Sequence, residues 1–237
     1  MRFIITLLLF CLPASALAGQ RAVYRGGDGK GMTIEVADDG SAVVRNQDMP
    51  DNYGILKDGQ FYLVSREKGE WNVARAEDLA AAFDQVLPPL FKNLFGAASA
   101  KRPNSRGFRV EAKGKRKILG HEGQVYAVYG FDESKPKESK EVVVSKDPDL
   151  QPVGKAMQEF MVSTTMMLAP FLGKAAAEIG GDIRTMFTYG TPLSIEGSLQ
   201  LASFEKADIP ASATALPAKP KTAAELLKEI RENSAKM

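Results

Sequence analysis

Cysteine, histidine and tryptophan occur once each in these 237 residues, and each scarcity removes a class of chemistry. The one cysteine, Cys11, lies inside an N-terminal apolar run from Phe3 to Leu12. Arg2 precedes that run, Pro13 breaks it, and Ala16-Leu17-Ala18 supplies the small-residue pattern that signal peptidase accepts before Gly19. A run of this length is too short for a transmembrane helix, which needs about 20 apolar residues. Residues 1–18 are therefore expected to be a signal peptide cleaved after Ala18, giving a periplasmic or secreted protein. Phe10 is too large for the position before a lipidated cysteine. Cleavage removes 18 of the 237 residues and the only cysteine, which excludes disulfides, a thiolate nucleophile and cysteine metal ligands. An exported chain without disulfides must rely on its apolar core. At this length it can, because domains of 150 or more residues bury about 70% of their unfolded surface.

The single histidine, His121, sits in Gly120-His121-Glu122-Gly123, which reads as a hairpin turn. A serine hydrolase triad would have to use it, yet no serine stands in a Gly-x-Ser-x-Gly elbow. Zinc needs two or three His or Cys ligands, so no metal or cofactor is expected. Gly27-Asp28-Gly29 and Asp38-Asp39-Gly40 lack the alternating oxygens of a calcium loop and read as turns. Nothing marks a pair of catalytic carboxylates, and the chain is expected not to be an enzyme. The charge is also near balance, 31 Lys and Arg against 29 Asp and Glu, so no global field draws it to nucleic acid. After the leader no stretch reaches 18 uncharged apolar residues. The mature protein is expected not to span a membrane.

What is present is patterned. From Ala22 to Ala74 apolar and polar residues alternate between tight turns such as Asp39-Gly40, Asp58-Gly59 and Lys68-Gly69, predicting six short antiparallel strands. From Ala76 the spacing becomes helical, through Leu79, Phe83, Val86, Leu87, Leu90, Phe91, Leu94 and Phe95. Pro88-Pro89 must bend this segment into two helices. Strands return from Phe108 to Ser145. A long helix follows, from about Gln151 to Ile179 with a kink at Pro170, and closing strands run from Arg184 to Phe204. Residues 19–210 are expected to form one α+β domain, a curved antiparallel β-sheet (half-barrel-like) with helices covering one face. An Ala/Pro/Lys linker at 211–222 then leads to a short amphipathic helix within 223–237.

The stretch from Lys117 to Pro217 carries a resemblance. "RKILGHEGQVYAVYGF", "VVVSKDPDLQPVGKAMQEFM" and "GTPLSIEGSLQLASFEKADIPASATALP" are similar to uncharacterised exported domains that resemble the LolA-like half-barrels, the superfamily of periplasmic lipoprotein carriers. The resemblance implies a curved sheet with acyl chains or apolar partners held between sheet and helices. It carries over no catalytic residue. The chain departs from the carriers by entering a strand at once, where they usually begin with a helix.

Two groups of residues are candidates for a site. Leu87 just before the double proline and Leu90, Phe91, Leu94 and Phe95 after it read as a Phe-rich lid, and Met157, Phe160, Met161, Met167 and Phe171 form a facing stripe. Methionine suits surfaces that accept varied apolar ligands, and the same residues also suit plain core packing. Copper is not expected on this stripe, because it holds no His or Cys. The second group is basic: Lys101, Arg102, Arg106, Arg109, Lys113, Lys115, Arg116 and Lys117 place eight cations in 17 residues against Glu111 alone. This segment could contact lipid phosphate or an anionic polymer, or be solvated strand surface. The expected function is binding of an apolar ligand, an acyl chain or a lipidated partner. The alternative is an envelope protein-interaction module using the basic segment and the C-terminal helix.

Overall fold

The computed structural model describes residues 19–88, 109–130, 135 and 137–234. Residues 1–18, and with them the signal reading, lie outside that set. The alternating segments form an open antiparallel sheet of 11 strands in the order β6-β5-β4-β3-β2-β1-β11-β10-β9-β8-β7. One wing is the expected meander: β1 (Gln20–Gly26), β2 (Gly31–Val36), β3 (Ala42–Asn46), β4 (Asn52–Lys57), β5 (Gln60–Glu67) and β6 (Glu70–Arg75). The other wing is β7 (Arg109–Ile118), β8 (His121–Tyr129), β9 (Ser139–Ser145), β10 (Thr191–Ile195) and β11 (Leu199–Lys206). The wings join where β11 pairs with β1, Gln20 opposite Lys206. That contact spans almost the whole described chain, so local sequence pattern cannot announce it.

Helix α1 (Ala76–Val86) leaves the end of β6. Glu77 and Asp78 occupy its first turn, where the helix dipole favours acids, and Asp78 also accepts from Arg75 Nε at 2.6 Å. The sequence pattern suggests one kinked helix from Gln151 to Ile179 with strands from Arg184. The structure instead holds three helices, α2 (Gln151–Met167), α3 (Ala169–Leu172) and α4 (Lys174–Thr188). Leu168 ends α2, Pro170 stands in the first turn of α3, and Gly173, at φ 58° and ψ −133°, redirects the chain into α4. Arg184 is therefore helical, and the closing strands begin at Thr191.

α2 lies on one face of the sheet and touches β1 to β5 and β10. Under it pack Tyr24, Ile34, Ala42, Val44, Val125, Val143, Leu193 and Leu201, with Leu150, Val153, Ala156 and Met157 from the helix side. Fully burying one such large side chain stabilises by roughly 1.5–3 kcal/mol. The approach is closest at Gly154, where any Cβ would collide with the side chain of Thr191. Tyr24 donates its hydroxyl to the carbonyl of Pro192 at 3.0 Å. α4 packs on α2, away from the sheet.

The opposite face is also apolar. Val43, Ile55, Val64 and Val73 form a second cluster with Tyr53, Tyr62 and Trp71, and Leu216 and Ala218 of the 211–222 segment pack against it. Lys221 then donates its backbone N–H to Val73 at 2.8 Å and makes a parallel bridge with Ala74 on the β6 edge. Helix α5 (Ala223–Ser234) follows. Thr222 and Glu225 form a capping box at its start. Its Leu226, Leu227 and Ile230 close over Leu79 and Ala82 of α1.

Candidate functional site

Along α2 and α3 the predicted stripe changes character from end to end. Met157 is 1% exposed and belongs to the core. One turn on, Phe160 is half-buried and meets Phe61 edge-to-face, with ring centroids 5.6 Å apart. Phe61 can lie flat over β4 because Gly54 offers no Cβ to oppose its ring. Met161 and Met167 are half-buried, while Met166 and Leu168 are 39% and 40% exposed. Phe171 on α3 turns toward α1 and meets Phe83 edge-to-face at 5.6 Å. Leu87 is half-buried just beyond α1, its N–H held by the Phe83 carbonyl at 3.0 Å.

The structure thus brings Phe83 against Phe171, where α1 contacts both α2 and α3. Leu90, Phe91, Leu94 and Phe95 lie outside the described residues. Phe83 is visible at helical spacing, one turn before Leu87, but nothing in the sequence pairs it with Phe171. Thr164 falls on the same stripe by its helical spacing, but nothing in the sequence marks its hydroxyl. The hydroxyl of its neighbour Thr165 bonds back to the carbonyl of Met161 at 2.8 Å, whereas the buried Thr164 hydroxyl has no partner. Among the described residues no three His, Cys, Asp or Glu converge as metal ligands. The arrangement offers apolar contact and one unused hydroxyl.

Of the basic segment, Lys101, Arg102 and Arg106 lie outside the described residues. Arg109, Lys115 and Arg116 stand on β7, the edge of the sheet. Arg109 stacks over Tyr129 at 3.9 Å and faces Glu111 at 3.6 Å. Lys115 pairs with Glu122 at 2.7 Å, and Arg116 grips Glu141 through two nitrogens. Their bonded lysines hold Glu111 and Glu122 below the ordinary carboxylate range. Arg109, Lys113, Lys115 and Arg116 of β7 therefore meet acids from β7 itself and from neighbouring strands.

His121 opens β8 after the turn rather than standing within it. Its Nδ1 meets Asp147 Oδ2 at 2.6 Å, and its ring stands edge-on to Phe204 at 5.1 Å. That contact, with the N–H of Asp149, lowers the pKa of Asp147. Ser145 is close by, but its hydroxyl donates to the Glu122 carbonyl and accepts from the Asp147 N–H. This cluster locks the hairpin to the entry of α2 and activates no nucleophile. Two open clefts of about 380 and 520 Å³ adjoin at Ser145 and Lys146. No residue of the predicted stripe lines either of them.

No helix of the described residues is long and apolar enough to cross a membrane. No family model matches the chain, and no curated protein does. Among solved structures, an uncharacterized conserved protein from Thermus thermophilus is similar over 86% of this chain and 88% of its own, at 6% identity and a TM-score of 0.39. MucB is similar over 87% of this chain and 62% of its own, at 15% identity and a TM-score of 0.35. The lipoprotein LppX of Mycobacterium tuberculosis is similar over 55% of this chain and 73% of its own, at 11% identity and a TM-score of 0.27. The sheet itself is open and antiparallel, with α2 lying on one face.

Proposed function

We propose that this is an exported, non-enzymatic binding protein that holds an apolar ligand, an acyl chain or a lipidated partner between sheet and helices. The observation that carries the reading is the loss of burial along one stripe. It runs from Met157 in the core, through half-buried Phe160, Met161 and Met167, to exposed Leu168 and half-buried Phe171, with Met166 exposed beside it. A helix that only served the core would bury the stripe over its full length. Ligand surfaces instead present apolar and polarisable side chains that remain partly open. Export follows from the reading of residues 1–18, and the described helices offer no membrane span. The alternative, an interaction module, finds less support. The apolar side of α5 already covers α1, and Arg109, Lys113, Lys115 and Arg116 of β7 already have acid partners.

The test is titration of a fluorescent fatty acid into the mature protein and two variants. Phe171→Asp and the exposed Leu168→Asp are expected to weaken binding at least ~10-fold, about 1.4 kcal/mol. Leu168→Asp leaves the fold unchanged because its side chain is open to solvent. Equal binding by both variants, or none by the wild type, would overturn the reading.

A further inference from the structure

The β7–β8 hairpin ends in a turn whose residue is wrong for its geometry. Ile118 pairs with His121 across a two-residue connection in which Leu119 has φ 52° and Gly120 φ 85°. Such turns need positive φ at both positions, which suits Asn, Asp or Gly first and Gly second. Two other hairpins adopt the same backbone with polar residues first: Asp58 with Gly59, at 51° and 71°, and Lys68 with Gly69, at 51° and 89°. Only here, among the described residues, is a large apolar side chain held in the left-handed region, and it is also 53% exposed. No other large apolar side chain among the described residues is as open. Strain and exposed apolar surface at one position both oppose stability, which points to use.

The surroundings hold the tip in place. Ile118 packs against the main core, His121 is fixed by Asp147 and Phe204, and Lys115 reaches across to Glu122. The hairpin from Arg109 to Tyr129 carries five cations against two acids. Lys117, two residues before the tip, makes no salt bridge among the described residues, and neither does the exposed Lys146 beside Asp147.

We propose that this tip is a contact for an anionic lipid surface. Leu119 enters the headgroup boundary while Lys117, which makes no salt bridge among the described residues, and Lys115 on the same face of β7 turn toward the phosphates. One apolar side chain with a few cations gives a weak, reversible, salt-sensitive contact. A lone exposed leucine two residues from Lys117 fits a bilayer surface better than a protein pocket, which would need a broader apolar patch than this tip has.

The experiment is co-sedimentation of the mature protein with phosphatidylcholine vesicles, with and without phosphatidylglycerol. The wild type is expected to pellet with the anionic vesicles and to be released by salt. Leu119→Asn should cut that binding on the order of fivefold, as loss of a partly inserted leucine predicts. The same change should raise Tm, because asparagine accepts the turn. Lys117→Gln should also reduce binding and flatten its salt dependence. Equal binding by wild type and Leu119→Asn would overturn the proposal, as would equal pelleting with neutral vesicles. Indifference to all vesicles together with Leu119-dependent capture of an envelope protein would overturn it too, and assign the tip to a protein partner.

Discussion

Tyr24 carries a phenol into the core and makes it useful by donating to the Pro192 carbonyl at 3.0 Å. Tyr24→Phe leaves that carbonyl without its donor, and the cost in a urea denaturation at neutral pH is expected to be about 1–3 kcal/mol. Burial raises the Tyr24 pKa. A group whose pKa is higher in the fold contributes stability below its unfolded pKa of about 10 and loses it as pH rises further. The gap between wild type and Tyr24→Phe should therefore narrow above about pH 10. A gap that widens there would contradict the assignment. Asp147 has the opposite sign. Its pKa is lowered by His121, so its contribution is present above the unfolded carboxylate value of about 3.9 and fades as acid reaches the lower folded value. NMR titration of the carboxyl carbon in His121→Ala should show that pKa rising toward the ordinary range. An unchanged titration would mean that the Asp149 N–H alone sets it.

Helices and strands differ in how far the sequence reveals them. The six strands of the first wing are legible because period-two alternation and the turns at Asp58-Gly59 and Lys68-Gly69 are local signals. α4 is hidden past Ile179 because Lys174–Thr188 is rich in Ala and Gly, and its buried face of Ala175, Ala176, Gly180 and Ile183 is too small to stand out. The basic run is legible as charge but not as pairing, since Arg116 meets Glu141 from another strand. Of the site, the Met157–Phe171 stripe can be read from spacing, whereas the Phe83–Phe171 contact needs tertiary structure. The C-terminal segment reads as a linker and a short amphipathic helix whose packing the sequence leaves open, and in the structure Leu216, Ala218 and Leu226 all pack on the domain. Leu226→Ala is expected to lower stability by ~2 kcal/mol, the low end for a buried leucine because the site is near the surface. Denaturation midpoints unchanged by this substitution would show that α5 is not part of the folding unit. At Gly154, alanine should cost about 1–3 kcal/mol by forcing α2 away from Thr191.

An open sheet has two exposed edges, and each invites pairing with another chain. β7 carries its charges along one edge, with the bulge near Ala112 and Gly114 adding irregularity. At the other edge Lys221 bridges to Ala74 and its ammonium reaches Asn72 and Glu229. Both faces are covered as well, one by α2 and the other in part by the 211–222 segment. Against this general closure, the half-buried apolar side chains where α1 meets α2 and α3 stand apart, and they belong to the surface proposed for the ligand. The most direct measurement is native mass spectrometry of the mature protein purified from its own envelope fraction, followed by solvent extraction. The account predicts discrete adducts that extract as lipid and are absent from Phe171→Asp and Met161→Asp. A single unliganded mass with no lipid in the extract would contradict it and return the Phe and Met stripe to ordinary core.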